Sequence, residues 1–150
     1  HSVPAVRQNP LLERKRRMRE GVLYCDGASS GNPGESGIGA VLLLEDKTYE
    51  ISEHIGIATN NIAEYTALIK GLSRAQALKI ERLKIFLDSE LIVKQIQGSY
   101  KVKSENLKAL YQEALSHLKS FKAYTISHIP REQNKRADSL AKKAAAKTSH

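Results

Sequence analysis

Between residues 21 and 147 the apolar residues change period in an order that leaves few folds open: three strand-like segments, a helix, a strand, two helices, a strand and a last helix. Residues 21–26 form a short apolar segment closed by the turn-rich stretch Gly27-Ala28-Ser29-Ser30-Gly31-Asn32-Pro33-Gly34. Residues 37–44 are apolar throughout, as in a central strand, and the turn Glu45-Asp46-Lys47 follows. Tyr49, Ile51, Ile55 and Ile57 then take alternate positions with Glu50, Ser52 and His54 between them, the period of a half-exposed strand. Tyr65, Leu68, Ile69 and Leu72 recur at helical spacing and end near Leu78. Residues 82–88 read as a fourth strand, after which Ser89 can cap a helix running to about Gln97 and stopped by Gly98. Leu107, Leu110, Tyr111, Ala114, Leu115 and Leu118 give the cleanest helical stripe. Residues 121–129 read as the fifth strand, and residues 134–147, rich in Ala and Lys, as the final helix. A meander of three strands favours antiparallel pairing and the helical crossovers after it favour parallel pairing, so the pattern predicts an α/β domain with a mixed sheet. Ligands of such sheets gather at strand ends.

The chain has 150 residues, enough for one domain with a real core. Its 24 Lys and Arg exceed its 16 Asp and Glu, and the net charge of +8 favours a polyanionic partner. The longest apolar run, residues 38–44, is too short to span a bilayer, which predicts no membrane association. Cys25 is the only cysteine, so neither an internal disulfide nor a Cys-based zinc cluster is available, as expected of a reducing, cytoplasmic compartment. In its apolar run Cys25 reads as a buried side chain. Residues 1–20 contain the run Arg14-Lys15-Arg16-Arg17-Met18-Arg19 and read as an appended basic arm. The chain opens on His1, which suggests a fragment or residues left from expression. The expected organisation is an arm over 1–20, a catalytic domain over 21–147 and a tail over 148–150.

Four carboxylates are placed where ligands of such a sheet would lie. Asp26 ends the first predicted strand, Asp88 ends the fourth, Glu64 lies in the first turns of the first long helix, and Asp138 lies on the last. Each also has a structural explanation. Asn61 to Glu64 has the spacing of a capping box, Asp88 can cap the next helix, Asp26 can form an Asx-type turn, and Asp138 can sit on a solvated face. Together, however, they would concentrate negative charge at one edge, which is costly unless cations occupy it. Oxygen-only ligands suit Mg²⁺, and two such ions can activate water and stabilise a leaving oxygen in phosphodiester cleavage.

The stretch from Asp26 to Gly34, then Thr59-Asn60-Asn61-Ile62-Ala63-Glu64, then Asp88-Ser89, then Arg131-Glu132-Gln133-Asn134-Lys135-Arg136-Ala137-Asp138 resembles the ordered signature of type 1 ribonuclease H. The resemblance covers nearly all of residues 21–147. It implies a ribonuclease H-like fold with a five-stranded sheet ordered 3-2-1-4-5, strand 2 antiparallel, flanked by helices. It implies an endonuclease that cuts the RNA strand of RNA–DNA hybrids to 5′-phosphate and 3′-hydroxyl ends, with Asp26, Glu64, Asp88 and Asp138 holding two Mg²⁺ ions and Mn²⁺ as a possible substitute. Asn32, Asn60, Asn61 and the backbone of Gly27, Ala28, Ser29 and Ser30 match positions that sense RNA 2′-hydroxyls, and Thr59 matches a contact to a DNA phosphate. Asn offers a donor and an acceptor, which suits a hydroxyl partner. His128 matches a histidine assisting proton transfer or product release, and the Arg-Glu-x-Asn wording points to a subgroup in which Arg131 takes part of that role. A monomer is expected.

The chain departs from the better-known bacterial enzyme between its second and third helices. Only residues 98–105 are available there, which leaves no room for a basic, Trp-bearing protrusion, and the chain has no Trp. Ile57 stands where some relatives carry an arginine. Lys94, Lys101, Lys103, Lys108 and the N-terminal arm are the candidates for gripping substrate, through phosphate contacts that add affinity without selectivity. Transposases, integrases and junction resolvases share the architecture, but the Gly-Asn-Pro-Gly loop and the Asn60-Asn61 pair favour RNA sensing. A non-catalytic hybrid-binding module is disfavoured by the presence of all four acids. A nucleotide-binding enzyme is disfavoured because the glycine-rich stretch lacks the Gly-x-x-x-x-Gly-Lys pattern.

Overall fold

Apolar strands of this kind are stable only when helices cover them, and the chain supplies a helix layer to each face of one sheet. The computed structural model describes residues 19–146. Strands β1 (Glu20–Ser29), β2 (Gly34–Leu44) and β3 (Lys47–Ala58) form the antiparallel meander. Helix α1 (Asn60–Ala77) crosses to β4 (Arg82–Leu87), which pairs with β1 in parallel. The short α2 (Glu90–Ile96) and then α3 (Glu105–Leu118) lead to β5 (Ala123–His128), parallel to β4. Helix α4 (Lys135–Ala146) follows. The sheet order is β3-β2-β1-β4-β5, the expected 3-2-1-4-5 arrangement with β2 antiparallel.

The core lies mainly between the sheet and α1. Leu23, Ile38, Leu42, Ile85 and Leu87 from the strands join Tyr65, Leu68 and Leu72 from α1, all essentially without solvent contact. Burying each of these aliphatic side chains stabilises the fold by roughly 1.5–3 kcal/mol. Helix α3 packs on α1, while α4 covers β2, β1 and β3. Within the core the Tyr65 hydroxyl meets Gln95 Oε1 at 2.7 Å, so neither buried polar group is left unpaired there. Cys25 is a free, fully buried thiol, as its apolar run predicts. Among the described residues no helix is long and apolar enough to cross a membrane.

The first strands differ from the sequence reading at their polar ends. β1 does not stop at Asp26: it pairs with β2 from Asp26 opposite Gly39 through Ser29 opposite Ser36. β2 correspondingly begins at Gly34, upstream of its apolar run. Polar strand ends carry no hydrophobic signal, so the ladder outruns the pattern. The first strand also starts earlier, at Glu20, within the segment read as an arm. The Arg14-to-Met18 run lies outside the described residues.

The regular alternation expected of β3 is broken by a bulge. Ser36 faces Gly56 but Gly37 faces His54, so Ile55 is an extra residue and the strand changes parity. Ile51 is therefore buried while Ile57 is 66% exposed, against the expectation that they share a face. The fifth strand is shorter than predicted, since Phe121 and Ile129 are buried but lie outside the paired segment, and the last helix begins at Lys135, one residue later than predicted, while its predicted end at residue 147 lies outside the described residues.

Candidate active site

Parallel pairing of β1 with β4 brings two acids together. The last paired residues are Cys25 and Leu87, so Asp26 and Asp88, each the next residue, leave the parallel ladder side by side. Asp26 stays paired to β2 on its other flank and is only 3% exposed.

Glu64 reaches the same point from α1. Thr59 is the N-cap of that helix, its hydroxyl accepting from the Ile62 amide at 3.2 Å. Glu64 is thus not the return half of a capping box: its Oε1 accepts instead from the Gly27 amide at 2.9 Å. This crossing of helix over strand requires glycine, because a Cβ on Gly27 would lie 2.3 Å from the Ala63 carbonyl carbon. Ligating oxygens of Asp26, Glu64 and Asp88 all lie within 4.8 Å of one another.

The fourth acid, Asp138, hydrogen-bonds the Asp26 carboxyl from α4 and pairs with Lys142 at 3.2 Å. Its position depends on Asn134, to which the sequence reading assigned no function. Buried Asn134 donates from Nδ2 to the Cys25 carbonyl at 2.9 Å, and its own carbonyl accepts from the Asp138 amide at 3.0 Å. It therefore anchors the start of α4 to the strand residue preceding Asp26. An Asn at the start of a predicted helix is a recognisable signal for capping, but its bond to β1 is not visible in one dimension.

The four acids cannot all be ionised in the cation-free chain. Burial, then the Glu64 charge, then the bond to Asp138 push the Asp26 carboxyl up to about 10. Burial and the Asp88 charge push Glu64 up to about 7, against the opposing Gly27 amide. Burial also acts on Asp138, but hydrogen bonds from Asp26 and Lys142 outweigh it and hold that carboxyl below its usual range. The cluster thus titrates as an interacting set, with burial and mutual repulsion favouring retention of a proton within it.

These residues fit divalent cations. All the gathered donors are carboxylate oxygens, the ligand class of Mg²⁺ and Mn²⁺. The buried Asp88 Oδ2 has no hydrogen-bond partner among the described residues. Its nearest cation, Arg131 Nε, stands 3.9 Å away, in charge contact only. Arg131 lies in a short 3-10 turn over Arg131–Gln133. His128, exposed at the end of β5, is opposite Leu87 in register, the residue before Asp88 on the neighbouring strand.

The remaining predicted contacts lie around the hairpin joining β1 to β2. Gly27, Ala28 and Ser29 are strand residues, and Ser30 closes the hairpin by donating its amide to the Glu35 carbonyl at 2.8 Å. Exposed Asn32 accepts from the Asn60 amide at 3.1 Å, which ties the hairpin to the first turn of α1. Asn32 thus also serves the structural purpose open to it in the sequence, while its Nδ2 remains available as a donor. Thr59, Asn60 and Asn61 stand together at that turn. Of the candidate lysines, Lys108 pairs with Glu105 at 3.1 Å, whereas Lys94, Lys101 and Lys103 have no ion pair among the described residues.

The chain is similar in sequence and fold to known proteins. A family model described as Reverse transcriptase-like matches residues 24–144. A ribonuclease H of Symbiobacterium thermophilum is 34% identical over 146 residues, a match covering 86% of this chain and 97% of that protein. A bifunctional protein of Mycobacterium tuberculosis is 40% identical over 126 residues, covering 82% of this chain but 35% of that protein, so the chain spans about a third of such relatives. The N-terminal RNase H domain of a Mycobacterium tuberculosis protein, solved as a fusion with maltose-binding protein, superposes with a TM-score of 0.82 at 39% identity, covering 84% of this chain and 98% of that one. LC11-RNase H1, solved in complex with an RNA/DNA hybrid, gives 0.78 at 41% identity, covering 83% and 96%. The family model and the extent of likeness in sequence and fold agree, and the chain belongs to the type 1 ribonuclease H family.

Proposed function

We propose that the chain hydrolyses the RNA strand of RNA–DNA hybrids as a metal-dependent endonuclease. The observation that carries this reading is the convergence of Asp26, Glu64 and Asp88 oxygens within 4.8 Å at the sheet edge, beside a hairpin and helix turn rich in Asn. A relative of 41% identity has been solved with an RNA/DNA hybrid, which supports the choice of substrate. The catalytic domain is taken as residues 21–147 together with the strand residue Glu20, acting as a monomer in the cytoplasm, with the residues before it as an appended basic arm.

Two divalent cations held by Asp26, Glu64, Asp88 and Asp138 would supply an activated water and stabilisation of the leaving oxygen. The chain's own groups do the rest. The Gly27 amide orients Glu64, and Asn134 holds Asp138 against Asp26. Asn32, Asn60, Asn61 and the backbone of Gly27, Ala28, Ser29 and Ser30 offer paired donors and acceptors to RNA 2′-hydroxyls. Because the Thr59 oxygen accepts from Ile62, its own proton is free to donate to a DNA phosphate. His128 moves a proton at the leaving group or assists product release, with Arg131 sharing the second task.

Digestion of end-labelled hybrid, RNA duplex and DNA duplex, each with and without Mg²⁺ or Mn²⁺, tests this function. Cleavage confined to the RNA of the hybrid, only with metal and leaving 5′-phosphate and 3′-hydroxyl ends, is the expected result. A 2′,3′-cyclic phosphate would mean that the RNA's own hydroxyl attacks, and cleavage of duplex DNA would favour a resolvase-like enzyme. His128→Ala is expected to lower kcat by about 10- to 100-fold without abolishing turnover. Complete inactivation, equal to loss of a carboxylate, would show the histidine to be misassigned.

A further inference from the structure

We infer that Ser36 is a positioning residue for substrate binding, acting through the junction at which β3 turns into α1. This rests on the proposed hybrid-cleaving function. Ser36 is completely buried, a rare state for a serine without a purpose. Its hydroxyl lies 2.8 Å from the Gly34 carbonyl and 3.1 Å from the Ala58 carbonyl. Ser29, directly opposite Ser36 in the β1–β2 ladder, brings its own hydroxyl to the same Ala58 carbonyl at 3.0 Å and contacts the Gly31 carbonyl as well. Ala58 is the last residue of β3, and the next three residues are Thr59, Asn60 and Asn61.

Two neighbouring strands therefore reach across the hairpin to fix one carbonyl just before the substrate-facing turn. The Asn32 bond to the Asn60 amide fixes the other side of that turn. Beyond the β3 bulge at Ile55 only three rungs, Ser36 to Gly56, Glu35 to Ile57 and Gly34 to Ala58, tie the strand end to β2, and the two serine hydroxyls add side-chain bonds to that short ladder. Each serine has one proton for two nearby carbonyls, and Ala58, with two lone pairs, can accept from both. Losing the Ser36 donor leaves a buried carbonyl under-satisfied and releases the turn that presents Thr59 and the Asn pair. Among the described residues the Ser36 hydroxyl bonds to Gly34 and Ala58 and to none of the four metal-site acids. The effect should therefore fall on binding.

The test is Ser36→Ala in the full chain, with steady-state kinetics on hybrid well below the melting temperature and amide hydrogen exchange without substrate. KM is expected to rise about three- to tenfold, the factor carried by one lost hydrogen bond, with kcat within about twofold. Exchange should accelerate at the Asn60 and Ile62 amides, whose bonds go to Asn32 and Thr59, while core amides of β1 and β4 keep their protection. A purely structural serine would instead reduce the active fraction, lowering kcat at constant KM, and raise exchange throughout the sheet. Either of those results, or an unchanged KM, overturns the inference. Should Ser36→Ala fail to fold, Ser29→Ala reaches the same carbonyl from a half-buried position, and unchanged exchange at Asn60 and Ile62 in that variant would overturn it equally. Failure of the wild-type chain to cut hybrid would defeat the proposed function itself, whereas wild-type cleavage with an indifferent Ser36→Ala defeats only this positioning.

Discussion

Asp26→Asn is expected to lower hybrid cleavage by on the order of a thousandfold or more while the chain still folds and binds hybrid. Asn keeps the shape of Asp and can still accept the local bond from the Gly27 amide, now 3.0 Å from Asp26 Oδ1. What it loses is the charge at the point where Glu64, Asp88 and Asp138 converge. If Asp26 served only an Asx-type turn, Asn would serve as well and activity would survive. The variant should also be more stable than the parent without divalent cations, by a margin that grows with pH. Below pH 3.8 both folded and unfolded chains hold the Asp26 proton, and the carboxyl has no effect on stability. From 3.8 up to about 10 the unfolded chain ionises freely but the folded chain retains the proton, so parental stability falls as pH rises. Asn does not titrate and lacks that slope. Melting curves at about pH 5 and about pH 9, with chelator present, should separate progressively. Near-normal cleavage in Mg²⁺ would remove Asp26 from the centre of the mechanism, and parallel pH profiles would mean that its carboxyl is not strained in the fold.

The topology and the four acids were legible because both rest on signals that survive in one dimension. Changes of hydrophobic period mark strands and helices, and the acid-bearing motifs stand in a characteristic order. What could not be read depends on contacts across the sheet. Ser36 looks like an ordinary turn residue until Ala58 is placed beside it, because only the β2–β3 ladder, in which Ser36 faces Gly56 and Gly34 faces Ala58, brings the two together. The same bulge sends Ile57 to the surface after Ile51 has pointed inward, and no period-2 reading can anticipate a change of parity. Glu64 had a plausible local partner in a capping box, and only the crossing of α1 over Gly27 shows that the carboxylate is used elsewhere. The polar ends of β1 and β2, including the rungs from Gly27 to Ser29, read as loop in the sequence because polar strand ends carry no hydrophobic signal.

Gly39→Ala is expected to be among the most damaging small substitutions in the sheet. Gly37 and Gly39 lie on the β2 face beneath α4, and the helix presents Ala137, Ala141, Ala144 and Ala145 as a buried stripe toward the sheet. Small residues on both sides let helix and strand backbones approach. A Cβ at residue 39 would stand 2.2 Å from the Ala137 carbonyl oxygen and 2.6 Å from the Ala141 amide nitrogen, atoms of helix backbone that no rotamer change can move. Relief requires α4 to lift by more than about 1 Å, loosening its packing against β2 along the stripe. A loss of about 3 kcal/mol is expected, with a melting temperature lower by about 10 °C. Because α4 carries Asp138 and follows Asn134, the displacement should also weaken Mg²⁺ binding, measurable by calorimetry on the folded variant at low temperature. Gly56→Ala is the comparison: its φ of +80° makes alanine strained, but its added Cβ meets nothing within 4 Å. That strain should cost about 1–2 kcal/mol and leave metal affinity unchanged. If Gly39→Ala melts no lower than Gly56→Ala and binds Mg²⁺ as the parent does, close approach of α4 to β2 does not hold the fourth carboxylate in place.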